Sequence, residues 1–186
     1  MIRTISRSYQ KQNELLHQSN EKFGACGYKW AGIIHDLIEE FGISCLLDYG
    51  CGKSTLFKAL RDEFPGLFGK VEYREYDPCV PGKKICFGPS EFIVCTDVLE
   101  HIEPEFLDNV LRHIRGIVGR LLFLNINLSE SDKVLDDGRN AHLLIRNPTW
   151  WVSRIGELFS PDSWVCRILP SDNPKNLTLV YHRPKC

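Results

Sequence analysis

Apolar residues recur at three- and four-residue spacings through 28–41, where Trp30, Ile33, Ile34, Leu37, Ile38 and Phe41 line one face. That period predicts an amphipathic helix, which Gly42 ends. The pattern then changes. A short apolar run at 44–48 reads as a buried strand closing on Asp48. A helix follows over 54–64, with Leu56, Phe57 and Leu60 toward the sheet and Pro65-Gly66 as its stop. Residues 71–77 alternate in the manner of a strand and end on an acid, Asp77. Continuous apolar runs at 92–96 and 120–125 predict two more buried strands, with a helix over 105–118 between them.

Residues 126–147 form a long polar connection with a turn at Asp136-Asp137-Gly138, a length that usually carries function or disorder. A helix is expected over 149–158 after Pro148. The runs 164–169 and 176–182, joined around Asn173-Pro174, read as an antiparallel pair. Residues 1–24 are polar, anchored by Leu15, Leu16 and Phe23, and fit an outer helix or a mobile arm. Strands alternating with helices define an α/β protein, a Rossmann-like open and mostly parallel sheet with helices on both faces and a C-terminal antiparallel strand pair. No linker interrupts the chain. One domain is expected over 1–186, with 1–41 as an N-terminal helical segment and 42–186 as the core.

Composition narrows this little. Hydrophobic residues at 43% and charged residues at 25% are ordinary for a globular protein. A net charge of −1 disfavours, without excluding, a nucleic-acid partner, and no apolar run approaches a membrane span. The N-terminus has no apolar signal core, so a cytoplasmic location is expected. The 8 cysteines include no C-x-x-C pair, which favours reduced thiols over disulfides or a metal, and Cys186 is expected to be exposed. No metal site is read from the sequence.

The chemistry concentrates at strand ends. In Asp48-Tyr49-Gly50-Cys51-Gly52-Lys53-Ser54 an acid and two glycines leave a strand together, where α/β proteins bind ligands. The spacing is neither the dinucleotide fingerprint nor a Walker A loop. An acid here suits a ligand with an amino group. Asp77 closes the next strand, placed to accept hydrogen bonds from ribose hydroxyls.

These residues, with Thr96-Asp97-Val98-Leu99-Glu100-His101-Ile102, resemble successive motifs of class I S-adenosylmethionine-dependent methyltransferases. The likeness extends from about Gly42 to Arg183, and the phrasing of the loop is similar to that of compact methyltransferase-like proteins of bacteriophages and bacteria. It implies S-adenosyl-L-methionine as cofactor, S-adenosyl-L-homocysteine as product, and in-line methyl transfer to a small-molecule acceptor. Asp48 would support the methionine amino end, and Gly50, Cys51 and Gly52 would let backbone approach the cofactor. Asp77 would hold the ribose, while Thr96 and Asp97 would border the sulfonium.

Two positions depart from the family pattern. Ser54 replaces a third small residue, where a serine could cap the following helix. Only 14 residues separate Asp77 from Phe92, too few for the usual helix and third strand whose end helps to hold adenine. Lys83 to Phe87 would be a remnant of that strand.

His142 and His101 are the candidate general bases for a hydroxyl acceptor, His101 having a backbone-bonding role as its alternative. Histidines 17, 35, 113 and 182 read as surface or helix residues. Trp150 and Trp151 read either as a lid or as packing, Trp30 beside Lys29 as a second lid, and Arg112, Arg115 and Arg120 as a solvated helix face. A non-catalytic cofactor-binding module, and a methyltransferase acting on a nucleic-acid base or a protein, stand as alternatives. The tetrapeptide of amino-methylating base enzymes is absent after 92–96, and Pro78-Cys79 lies after the wrong strand for a cytosine-C5 nucleophile.

Overall fold

A computed structural model describes residues 3–86, 88–159 and 163–184. Six strands form one sheet in the order β2-β1-β3-β4-β6-β5. β1 (Cys45–Tyr49), β2 (Glu72–Tyr76), β3 (Ser90–Thr96) and β4 (Val118–Asn127) run parallel. β6 (Asn176–His182) inserts antiparallel between β4 and β5 (Val165–Leu169), as the terminal pair predicts. The chain leaves β1 for β2 on one side and returns to β3 on the other. The switch point therefore lies between the C-terminal ends of β1 and β3, where such sheets bind ligands.

Each face of the sheet carries its own core. Ile34, Leu37 and Ile38 of α2 (Ala31–Phe41) and Leu56 and Leu60 of α3 (Thr55–Glu63) pack on Leu46, Phe92, Val94 and Phe123. On the other face, Val110, Leu111 and Ile114 of α4 (Leu107–Ile117) and Trp151 and Ile155 of α5 (Pro148–Gly156) cover Leu47, Ile93, Leu122 and Leu124. Strands covered on both sides need no polar face, which is why β3 and β4 read as unbroken apolar runs.

The departures from expectation are local. The helix expected over 28–41 begins as a 3₁₀ turn, Gly27–Trp30, and Ile33 stands 40% exposed on its outer face. Phe57 lies beyond the α3 core contacts, against Phe68 and Tyr73. Ser54 does not cap α3: it takes a left-handed conformation (φ 59°) with no capping bond, and its hydroxyl accepts from Lys83. α4 starts only at Leu107, after two 3₁₀ turns, and β4 extends at both ends of the expected 120–125.

Residues 83–86 form no strand, and Phe87 lies outside the described residues. The 77–83 stretch is instead a tight loop, in which the Asp77 amide donates to Lys83 O at 2.8 Å. β2 is consequently an edge strand. Cys51, Cys79 and Cys95 are buried, and Cys186 lies outside the described residues. No helix among the described residues is long and apolar enough to cross a membrane.

Candidate active site

A cavity of about 480 Å³ opens at the switch point, lined by every residue singled out as cofactor-binding or catalytic. That volume lies within the ordinary range of small-molecule sites. Asp48 sits in β1 at only 4% exposure and accepts a 2.8 Å hydrogen bond from the Tyr73 hydroxyl of β2. Burial pushes its carboxyl up to about 7, against the Tyr73 bond that favours the carboxylate.

The glycine loop is stitched to the end of β2. The amides of Gly50 and Cys51 both donate to Tyr76 O, at 2.7 and 3.2 Å. Asp77 accepts from the Gly52 amide at 3.0 Å through Oδ2 and from the Cys79 amide at 2.8 Å through Oδ1. Two backbone donors thus fix the carboxylate plane and leave it further lone pairs for a ligand. The glycines themselves serve close approach within the protein. A methyl group on Gly50 would lie 2.3 Å from Val98 Cγ2, and one on Gly52 would lie 2.4 Å from the Gly24 carbonyl oxygen.

That second contact shows what the N-terminal segment does. Of the two expectations the outer helix holds, and it does more than lie outside: it covers the cavity. α1 (Arg7–Ser19) starts at Ser6, whose hydroxyl accepts from the Tyr9 amide, and lies across the cavity. The Tyr9 hydroxyl donates to His101 O, the Ser6 amide to the Glu103 carboxylate at 2.8 Å, and Gln10 to Pro78 O at 2.8 Å. Beyond α1, the Lys53 amide donates to Gly24 O at 2.8 Å. Tyr9, Asn13, His17, Phe23 and Trp30 form the cover. His17, read as a surface or helix residue, is helical but lines the cavity, where it packs edge-on against Phe23 and burial lowers its pKa. Polar composition hid this segment, because its polar atoms are spent on backbone carbonyls and carboxylates far along the chain.

At the opposite end, Asp97 takes a left-handed conformation (φ 55°) and its amide donates to Asn125 O, so the chain turns sharply after Thr96. Burial raises the Asp97 carboxyl, with the Lys29 charge opposing. The turn carries Glu100 and His101 to the cavity, and the long connection after β4 brings His142 beside them. The two imidazoles meet edge-to-face at 4.6 Å. His101 Nδ1 bonds Ala141 O at 2.8 Å and His142 Nδ1 bonds Ser129 O at 2.6 Å. A carbonyl only accepts, so both Nδ1 atoms donate and both Nε2 lone pairs are available. Glu100 is fully buried: Oε1 accepts from the Asn127 amide at 2.9 Å, and Oε2 has no partner. Burial raises its carboxyl to about 8, and burial likewise drives His101 down to about 3.

The remaining candidates lie elsewhere. Trp151 is core at 0% exposure and Trp150 packs against it at 5.0 Å, so neither covers the cavity. Arg112 is exposed, but Arg115 is held by Leu158 O and the Phe159 and Trp164 rings, and Arg120 belongs to β4 and donates to Phe41 O. The basic face is therefore not a continuous solvated one. The sequence puts Glu100 beside His101 near the acceptor end but assigns it no role; its adjacency to His101, just past a buried strand, was the available signal.

Residues 17–165 match the model of a family described as a methyltransferase domain, and the chain belongs to that family. No curated protein matches it in sequence. Among solved structures it resembles a complex of DhpI with S-adenosylhomocysteine (TM-score 0.55, 14% identity, 94% of this chain and 96% of that one). The small RNA methyltransferase HEN1 is similar at TM-score 0.61 and 14% identity, over 85% of this chain but only 25% of that one. The mitomycin 7-O-methyltransferase MmcR is similar at TM-score 0.57 and 15% identity, over 93% and 61% respectively. At such identities the likeness is one of fold.

Proposed function

We propose that the chain is an S-adenosylmethionine-dependent methyltransferase acting on a small-molecule acceptor. The observation that carries the reading is the convergence of Asp48, Asp77 and Asp97 on one cavity at the switch point of a methyltransferase-family sheet. The residues present fit the cofactor. Asp48, the one deeply buried acid at the end of β1, meets an amino group, which favours its ionised form. Asp77, already planar-locked by two amides, accepts from the ribose hydroxyls. Each such bond contributes about 1.5–3 kcal/mol, so its loss costs about ten- to a hundredfold in affinity. Pro78, Cys79 and Tyr76, roofed by Tyr9 and Asn13 of α1, make the wall that the missing strand and helix supply in other members, and are the place for adenine.

When bound, S-adenosylmethionine supplies an electrophilic methyl group whose bonding pair stays with sulfur on transfer. The chain's own part is to hold the acceptor in line and exclude water, which the α1 cover serves. The acceptor end is the Glu100, His101 and His142 cluster. His101, its pKa near 3, is a poor base in the free protein, whereas His142 presents an imidazole Nε2 within the same group. Titration calorimetry with S-adenosylmethionine and S-adenosylhomocysteine tests the reading. Micromolar binding of either is expected; no heat with either at high micromolar concentration overturns it.

A further inference from the structure

Ring nitrogens of His101 and His142 and a carboxylate oxygen of Glu100 lie within 4.8 Å of one another. Three observations point these atoms at a common guest. Each imidazole has its Nδ1–H tied to a different backbone carbonyl, which orients the ring and leaves Nε2 as the free donor. That is the outer-shell arrangement found around metal-bound histidines. Glu100 is wholly buried, one oxygen is anchored by the Asn127 amide, and Oε2 is unpartnered. A buried carboxylate oxygen without a partner is costly, and neither histidine has a spare N–H to offer it. Finally, all three residues line the cavity, so a guest among them faces the acceptor space.

We propose that Glu100, His101 and His142 bind one divalent cation, and that the cation takes a hydroxyl of the methyl acceptor as a further ligand. Atoms bound to one ion at about 2.1 Å stand about 3.0–3.4 Å apart, so closure asks side-chain adjustments of about an ångström. Two imidazoles and one carboxylate suit zinc, manganese, iron or cobalt better than magnesium or calcium, which prefer all-oxygen sets. Three protein ligands leave positions for water and substrate, and a hydroxyl bound there loses its proton to solvent more readily. The acceptor class is thus an alcohol or a phenol. The role of the hydroxyl rests on the methyltransferase reading above; the metal site does not.

Chelator-treated full-length protein is titrated with Co²⁺, Mn²⁺, Zn²⁺ and Mg²⁺, followed by heat and by the Co²⁺ visible spectrum. S-adenosylhomocysteine binding is measured separately without metal. One site is expected, tightest for the transition ions, with a Co²⁺ spectrum showing nitrogen ligation. His142→Ala and Glu100→Gln should each weaken it at least about tenfold to a hundredfold, with S-adenosylhomocysteine affinity unchanged in His142→Ala. The amide of Glu100→Gln keeps an acceptor for the Asn127 N–H; if that buried variant does not fold, the half-buried His142→Ala decides. Absence of binding by any ion at millimolar concentration overturns the site, as does equal affinity in wild type and His142→Ala. Loss of S-adenosylhomocysteine binding with metal binding intact overturns the cofactor reading instead.

Discussion

The Tyr9 hydroxyl donates to the main-chain carbonyl of His101 at 2.7 Å, tying the N-terminal helix to the turn that carries Glu100 and His101. The cover and the proposed acceptor end are thereby linked directly. Tyr9→Phe keeps the ring packing and removes only this bond. It should lower stability by about 1–2 kcal/mol in urea unfolding and weaken S-adenosylhomocysteine binding in calorimetry. Unchanged affinity would show that the cover does not contribute to the cofactor site.

Gly52→Ala places a methyl against the Gly24 carbonyl at a residue with φ 48°, where neither backbone segment has a flexible end to give way. A loss of about 1–3 kcal/mol follows from the strain. Gly116→Ala, in α4 with nothing near the new methyl, should stabilise by about 0.5–1 kcal/mol. Thermal unfolding of the pair checks both, and equal effects of the two would mean that Gly24 does not rest on the loop.

Asp77→Ala removes the acceptor of the Gly52 and Cys79 amides as well as the proposed ribose contact. Affinity for S-adenosylhomocysteine should fall by about ten- to a hundredfold. Asp77→Asn, which keeps one oxygen acceptor, should fall less. If both variants bind as the wild type does, the ribose assignment is lost.

Asp48 sets a pH dependence. Its carboxyl rises from an ordinary 3.8 to about 7 through burial, so the folded chain holds the proton more tightly than the unfolded one. Stability should therefore be greatest at low pH as far as this group is concerned, decline as pH rises from about 4 to about 7, and level off above. Three pKa units bound the effect at about 4 kcal/mol. Asp48→Asn should flatten the slope in urea unfolding. A cofactor amino group meeting the carboxylate should also expel its proton near pH 6, making the heat of binding depend on the buffer; identical heats in all buffers would remove Asp48 from that role.

The layered sheet was legible because its central strands are covered on both faces and its helices on one, so apolar runs and three-to-four spacings report burial directly. Asp48, Asp77 and Asp97 were legible for a related reason: strand ends in a parallel sheet share an edge, and an acid closing a strand-like run is conspicuous. The α1 cover was not, since its anchoring is by hydrogen bonds from Ser6, Tyr9 and Gln10 to backbone or carboxylate groups far away in sequence, which leave no periodic trace. Nor could spacing show that His142 returns beside His101. That meeting depends on the long connection after β4, whose Asp136-Asp137-Gly138 turn is held by an isolated bridge between Val134 and Asn140.

The cover also bears on the order in which the molecule assembles. The bonds from Tyr9, Ser6 and Gln12 to later parts of the chain span 92, 97 and 125 residues. α1, made before these partners on the ribosome, therefore has to wait for them, and contacts so distant in sequence form slowly. On this ground α1 is expected to dock after the central strands pair, which would complete the cavity last. Undocking of α1 would correspondingly open the site while leaving the sheet beneath it intact.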